Sequence, residues 1–185
     1  MIPLHEAQEV VLAGCKPLTP VQVAYSDMTG RVLAQDVVAT EDVPPFSNTA
    51  VDGYAVRAAD SEQSPVELQV VDTLAAGAEP KIAVNAGEAI RIMTGAPMPS
   101  GADAVVMVED TQRVGETHVL ISRSAKVHDG VRDAGSDVRA GETVFVPGTV
   151  LNAAGVGVLA SVNARTVRAF PRARVALLST GDELV

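Results

Sequence analysis

The sequence has one cysteine, no tryptophan, few aromatic residues and a deficit of positive charge. Because Cys15 has no partner, the chain cannot form an internal disulfide, as is typical of proteins in a reducing compartment. With only 3% aromatic residues, the core must be built mainly from the Val, Leu and Ala among the 47% of residues that are apolar. The formal net charge of −9 argues against nucleic acid as the main partner, because binding a phosphate backbone needs a basic surface.

The chain also lacks the marks of secretion, membrane insertion and zinc binding. Its first residues have no basic stretch followed by a long apolar core, as a signal peptide would. The most apolar segment, residues 150–162, is shorter than the roughly 20 residues that a membrane-spanning helix needs. The three histidines are scattered, without the spacing of metal ligands. We therefore expect a cytoplasmic protein that binds neither a membrane nor nucleic acid.

Hydrophobic periodicity predicts a mainly β chain with two short helices. Apolar residues at helical spacing indicate a helix over residues 4–13, and Asn152 is placed to cap a second helix over residues 152–162. Strands are expected where apolar and polar residues alternate or β-branched residues cluster, at 21–24, 30–39, 54–56, 66–71, 88–93, 104–108, 117–121 and 143–146. The short intervals between them, rich in Gly, Pro, Asp and Ser, are typical of a barrel or sandwich.

The last apolar run has a different pattern. Arg174 to Leu178 is almost without polar interruption, which suits a strand covered on both faces in a parallel α/β sheet. One strand cannot make a sheet, so we expect this run to be the first strand of a further α/β domain beyond this sequence. The chain is thus interpreted as part of a longer protein.

Two polar segments near the middle of the chain are candidates for chemistry. Asp52-Gly53 is a favoured hairpin turn, but it follows the polar run Ser47-Asn48-Thr49. A carboxylate with hydroxyls and an amide nearby can also coordinate Mg²⁺ or orient an oxyanion. The second segment is Thr94-Gly95-Ala96-Pro97. It is either a plain turn with Gly at positive φ, or an anion site in which backbone N–H groups and the Thr94 hydroxyl face the ligand.

Two further segments leave similar alternatives open. The segment from Arg132 to Asp137 is either a solvated loop or part of a site in which Arg132 binds a phosphate or oxyanion and Asp137 lies near a metal. Thr180 to Glu183 has the spacing of a helix capping box. Asp182 and Glu183 would also stand at the carboxyl end of a strand, where α/β sheets bind ligands.

In their order along the chain, these motifs resemble the molybdopterin molybdenumtransferase family, which includes MoeA and the E domain of gephyrin. The matching segments are PPFSNTAVDGYAVR, RIMTGAPMPSGADAVVMVED, VRDAGSDVRAGE and VALLSTGDELV, within a resemblance that runs from residue 4 to 185. Two positions depart from the family pattern. Thr49 stands where Ser is usual and keeps the hydroxyl, and Val51 stands where Met is usual and stays apolar.

The resemblance implies an enzyme of molybdenum cofactor biosynthesis. Such enzymes insert molybdate into adenylylated molybdopterin with release of AMP, and they depend on Mg²⁺. The resemblance also implies a homodimer with an active site shared between subunits, and a molybdopterin adenylyltransferase as the upstream partner. The alternative is a protein-interaction or scaffold module of a gephyrin-like protein.

The resemblance further implies a domain plan and a set of site residues. Domain I is an elongated β-rich piece made of residues 16–44 and 139–170, domain II is a β-barrel-like insertion at 45–138, and residues 1–15 and 171–185 are remnants of an α/β domain III that binds the pterin. With domain III nearly absent, the chain alone is expected to be inactive. The implied catalytic residues are Asp52, Thr94, Asp137 and Glu183, the substrate-binding residues are Arg132, Ser47, Thr49 and Asp182, and Asp52 and Glu183 are expected near Mg²⁺ or molybdate.

Overall fold

The computed structural model describes residues 2–177 and residue 179. The chain divides into two compact units. One, called here the two-segment unit, consists of Met1–Thr40 and Gly141–Val185. The other, called the inserted unit, is Glu41–Ala140.

The described part of the chain is mainly β, as predicted from its periodicity. Its α-helices are α1 (Leu4–Gly14), α2 (Ala58–Ser61) and α3 (Ala153–Ser161), and none of the helices in this part is long and apolar enough to cross a membrane. Its strands are β1 (Val21–Ala24), β2 (Val37–Val38), β3 (Asn48–Thr49), β4 (Gly53–Val56), β5 (Val66–Leu74), β6 (Glu88–Ile92), β7 (Ala104–Met107), β8 (Thr111–Val114), β9 (His118–Ile121), β10 (Val131–Arg132), β11 (Thr143–Phe145) and β12 (Thr166–Ala169).

The inserted unit is built on a six-stranded sheet with the order β7-β4-β6-β5-β9-β8. Neighbouring strands are antiparallel except for β5 and β6, which are parallel. The two edge strands, β7 and β8, are consecutive in sequence and are separated only by the turn Val108–Asp110. Because three residues span only about 10 Å, the end of β7 lies near the start of β8. The sheet is therefore curled toward a closed barrel.

Apolar side chains cover both faces of this sheet. Along β4, Tyr54 and Val56 belong to one buried cluster and Ala55 to another, as the alternation of side chains in a strand requires. The first cluster, called here the inner core, takes residues from β4, β5, β6, β7 and β9. In a sheet that curls toward closure, the side chains of its strands converge on the concave side, and we assign the inner core, which draws on five of the six strands, to that side. Ile90 and Ile92 of β6 are buried in the second cluster, on the opposite face.

The two-segment unit is held by two antiparallel strand pairs, β1 with β12 and β2 with β11. Helix α3 begins after Asn152, whose Oδ1 accepts a hydrogen bond from the Gly155 N–H at 2.8 Å. This confirms the predicted N-cap. Helix α1 is also confirmed, at Leu4–Gly14, but none of its residues is buried.

Two expected strands differ from the structure. In residues 30–39 only β2 forms a strand, because Val32 bridges to Val150 whereas Leu33 bridges to Ala169, so the run changes partner within two residues. In the C-terminal run, the described residues 174–177 form no strand. A strand needs a hydrogen-bonded neighbour, and the described residues provide none there.

Candidate functional site

Asp52 and Thr94, both predicted as catalytic, are in direct contact within the inserted unit. Asp52 immediately precedes β4, and Thr94 follows β6, which is paired with β4. The Thr94 backbone N–H and hydroxyl both donate to Asp52 Oδ1, each at 2.7 Å. Among the described residues no donor reaches Oδ2 of this exposed carboxylate. One carboxylate oxygen is therefore fixed and the other remains accessible to a ligand.

These contacts determine the ionisation of Asp52. The hydrogen bond from the Thr94 backbone N–H, followed by the bond from its hydroxyl, lowers the pKa of Asp52 below its ordinary value. Desolvation opposes this lowering of the pKa, and the positive charge of Arg91, which has the smallest effect of the four, lowers the pKa further. Hydrogen bonds to the charged form of a carboxyl favour that form, so Asp52 is an anion at neutral pH.

Thr49 connects this pair to the rest of the site. Its backbone N–H donates to the Ala96 carbonyl at 3.0 Å, and its carbonyl accepts the Gly95 N–H at 2.9 Å. On the other edge of β3, Thr49 is paired with Val131 of β10. Its hydroxyl donates to the Val51 carbonyl at 2.6 Å and accepts the Val51 N–H at 3.2 Å. The hydroxyl predicted to contact substrate is thus buried and bonded to the chain, where it fixes the loop before Asp52.

Arg132 and Asp137 form an ion pair, with Arg132 Nη2 2.6 Å from Asp137 Oδ2. Both side chains are about half exposed, and Arg132 lies in β10 opposite Asn48 of β3. In the same loop the Ser47 hydroxyl accepts a hydrogen bond from the Ala134 N–H at 3.4 Å. The structure therefore brings Ser47, Arg132 and Asp137 together, and Asp137 offsets the charge of the arginine.

Two glycines of these motifs are required by the backbone for different reasons. Gly95 has φ +83°, a conformation that suits Gly, which agrees with the predicted turn. Gly53 has no positive φ; it is the first residue of β4 and lies against Val106 of β7. A Cβ at this position would come within 2.9 Å of the Val106 carbonyl carbon and would overlap its oxygen. Asp52-Gly53 is therefore more than a turn, because Gly53 permits the strand contact that holds Asp52 in place.

The described residues could bind Mg²⁺ only together with ligands from the substrate, from water or from other parts of the chain. The described residues contain no group of three or more His, Cys, Asp or Glu side chains that could hold a metal ion. Mg²⁺ is, however, commonly bound by one or two carboxylates together with substrate phosphates and water. Asp52, with its free Oδ2, fits the role of one such carboxylate. Glu183 and Asp182, the other predicted acidic residues of the site, lie outside the described residues.

Two further residues of this region were not predicted. Asn48 is 7% exposed, and its Oδ1 atom is buried with no hydrogen-bond partner among the described residues, although most buried polar atoms are paired. Its place in the run Ser47-Asn48-Thr49 was the only sequence signal. Arg91 lies in β6 opposite Tyr54, with its guanidinium 5.1 Å from the ring centroid. In the sequence Arg91 is only one polar residue of an alternating strand pattern, and nothing there indicates that its charge affects the pKa of Asp52.

Comparison with known proteins agrees with the resemblance seen in the sequence. The chain is 40% identical to "Molybdopterin molybdenumtransferase 2" of Mycobacterium tuberculosis (strain ATCC 25618 / H37Rv), over 98% of this chain and 45% of that protein. It is 34% identical to "Molybdopterin molybdenumtransferase" of Staphylococcus aureus (strain Mu50 / ATCC 700699), over 100% of this chain and 45% of that protein. The chain therefore spans less than half the length of these relatives.

The fold gives the same result. The crystal structure of the molybdopterin biosynthesis moeA protein from Pyrococcus horikoshii OT3 superposes with a TM-score of 0.83 and 35% identity, over 92% of this chain and 46% of that one. Residues 2–163 match the family described as the MoeA N-terminal region (domain I and II). The chain belongs to the MoeA N-terminal region family.

Proposed function

We propose that this chain is the N-terminal part of an enzyme of molybdenum cofactor biosynthesis that inserts molybdate into adenylylated molybdopterin and releases AMP. The names of the relatives support this class of reaction. The observation that carries the assignment to this site is the Asp52 carboxylate, which Thr94 holds through Oδ1 while Oδ2 remains accessible. A carboxylate fixed in this way is prepared for an electrostatic or ligand-binding role.

The charges of the substrates define what these residues do. Molybdate and the diphosphate of the pterin adenylate are anions, so a bare carboxylate repels them. Mg²⁺ bound at Asp52 Oδ2 would supply the positive charge between this carboxylate and the substrate oxygens. Thr94 acts on Asp52, because its N–H and hydroxyl are both directed at Oδ1. Arg132 offers its guanidinium to a phosphate, and Asp137 orients it.

We further propose the domain plan and assembly that follow from the family. The inserted unit corresponds to domain II and most of the two-segment unit to domain I, with residues 1–15 and 171–185 belonging to domain III. Glu183 and Asp182 would complete the site from domain III, and a second subunit would contribute one half. A molybdopterin adenylyltransferase would supply the adenylylated pterin.

The test uses the full-length protein with Asp52→Asn, which keeps the shape of the side chain and removes its charge. We expect AMP release from adenylylated molybdopterin to fall by at least about tenfold, the lower end of the losses seen on altering groups around a metal site. Asp72→Asn is the matched control, because Asp72 Oδ1 also accepts a backbone N–H, from Thr73 at 2.7 Å. This control is expected to retain activity.

The 185-residue chain alone is expected to release no AMP. Turnover by the isolated chain would mean that the site needs no further domain. Undiminished AMP release by full-length Asp52→Asn, together with undiminished molybdoenzyme activity in cells, would contradict the catalytic assignment and favour the scaffold alternative.

A further inference from the structure

The concave side of the curled sheet in the inserted unit is not completely filled. Its inner core occupies part of the space, and a pocket of about 410 Å³ remains beside Tyr54. The pocket is lined by residues of β4, β5, β6, β8 and β9. Its volume falls within the range of about 300–1,000 Å³ that is usual for small-molecule sites.

Strand register shows which side chains face this pocket. Tyr54, which belongs to the inner core, is paired with Arg91 of β6. Val119, also of the inner core, is paired with Arg113 of β8. Directly opposed residues of antiparallel strands lie on the same face of the sheet. Arg91 and Arg113 therefore both face the concave side. His118, the lining residue from β9, is next to Val119 and by the same alternation has its side chain on the other face.

The positive charge of these two arginines is not offset by an ion pair. Arg91 lies over the Tyr54 ring, and Arg113 Nη2 donates to the backbone carbonyl of Glu116 at 3.2 Å. Neither guanidinium forms a salt bridge with a carboxylate of the described residues. Glu116 is the one acidic residue among those that line the pocket, and the charge of Arg91 also lowers the pKa of Asp52.

Arg113 is exposed and Arg91 is half-buried, and neither has a carboxylate partner among the described residues, although a chain with a net charge of −9 has many carboxylates that could have neutralised them. An anionic ligand in the pocket would offset this positive charge and accept charge-assisted hydrogen bonds from the two guanidinium groups. Thr73 also lines the pocket, and its hydroxyl adds a further donor. We propose that this pocket binds a tetrahedral oxyanion, either free or carried as a phosphate ester on a small organic molecule.

The pocket is separate from the catalytic proposal, because binding here needs no metal, no turnover and no accessible Oδ2 on Asp52. The experiment therefore uses binding alone. The chain is titrated with inorganic phosphate at constant ionic strength, and the arginine side-chain N–H signals are followed by nuclear magnetic resonance. The Arg91 and Arg113 signals are expected to shift and to saturate together.

Arg113→Gln is the decisive variant, because Arg113 lies on an exposed edge strand where its loss leaves the fold intact. We expect phosphate to bind about tenfold more weakly, the effect of losing one charge-assisted hydrogen bond. Arg123→Gln removes the same charge from a side chain that is 78% exposed and outside this pocket, and is expected to leave the affinity unchanged.

Phenyl phosphate distinguishes the two sources of the oxyanion. Tighter binding of phenyl phosphate than of inorganic phosphate assigns an ester whose organic part contacts the apolar wall, and equal binding assigns the free ion. The proposal is overturned if neither anion gives a saturable shift, or if Arg113→Gln and Arg123→Gln bind phosphate as tightly as each other. Because this titration measures phosphate binding and the Asp52→Asn test measures AMP release, either proposal can fail without the other.

Discussion

Replacement of Thr49 by Val tests whether a buried hydroxyl sets the loop that carries Asp52. Thr49 is 1% exposed, and in Val a methyl group of similar size replaces the hydroxyl, so the change leaves no cavity and tests the hydroxyl itself. It removes the hydroxyl that donates to the Val51 carbonyl at 2.6 Å and accepts the Val51 N–H at 3.2 Å. At a net value of about 1 kcal/mol for each hydrogen bond, Thr49→Val lowers the free energy of unfolding by about 2 kcal/mol.

Thr49→Ser provides the control, because it keeps the hydroxyl and loses a methyl group. Its expected cost is about 1 kcal/mol, the value of one buried carbon. The two variants therefore separate the hydrogen bonds from the packing, and the predicted order of stability is wild type, then Thr49→Ser, then Thr49→Val.

The measurement must report on the inserted unit, because the chain has two units that need not unfold together. Hydrogen exchange of the amides in β4 and β6 gives the local free energy of opening, and urea denaturation followed by circular dichroism gives the overall change. A Thr49→Val protein that is as stable as Thr49→Ser would refute the reasoning, because the hydroxyl would then contribute no more to the free energy of unfolding than the methyl group does.

Two further predictions concern backbone space and ionisation. Gly53→Ala is expected to destabilise the inserted unit by more than about 3 kcal/mol, because its Cβ overlaps the Val106 carbonyl, whereas Gly157→Ala in α3 meets nothing within 4 Å and should stabilise its unit by about 0.5–1 kcal/mol. Denaturation curves of both variants check this pair, and equal effects would contradict it. Thr94→Val should raise the pKa of Asp52 while leaving it below the ordinary value, because the backbone N–H bond remains. Carbon NMR of the carboxyl measures this, and an unchanged pKa would contradict it. Because the pKa of Asp52 is lower in the folded protein than in the unfolded chain, its ionised form stabilises the fold. This stabilisation is present above the unfolded pKa and is lost as pH falls through the folded pKa.

The sequence was most informative where side chains alternate between two environments. The runs at 66–71, 88–93 and 117–121 became β5, β6 and β9, because alternation of apolar and polar residues directly reflects a sheet with a buried face, and the continuous apolar run at 104–108 became β7. Strand β8 was not predicted: three of its four residues are exposed, and it is held by backbone pairing with β9. Strand β12 was also missed, although its residues alternate between exposed and buried positions.

For the candidate site, too, the sequence predicted some features and missed others. Asp52, Thr94, Arg132 and Asp137 were predicted as site residues through the family resemblance, and the structure brings them into two contacting pairs. That Thr94 donates to Asp52 was not predictable, because the two residues are 42 positions apart and meet only through the pairing of β4 with β6. The internal role of the Thr49 hydroxyl was likewise hidden, because the same residue type suits a buried turn and an exposed ligand contact.

The lowered pKa of Asp52 limits the chemistry that this residue can perform. A general acid or base is most effective when its pKa lies near the working pH. The hydrogen bonds from Thr94 move the pKa of Asp52 in the opposite direction, so at neutral pH the carboxyl has no proton to donate and is a weak base. The same bonds hold a permanent negative charge in one orientation with Oδ2 accessible. A fixed charge of this kind serves to bind a cation or to orient a positively charged group, and this is why our proposed function assigns Asp52 to charge organisation and not to proton transfer.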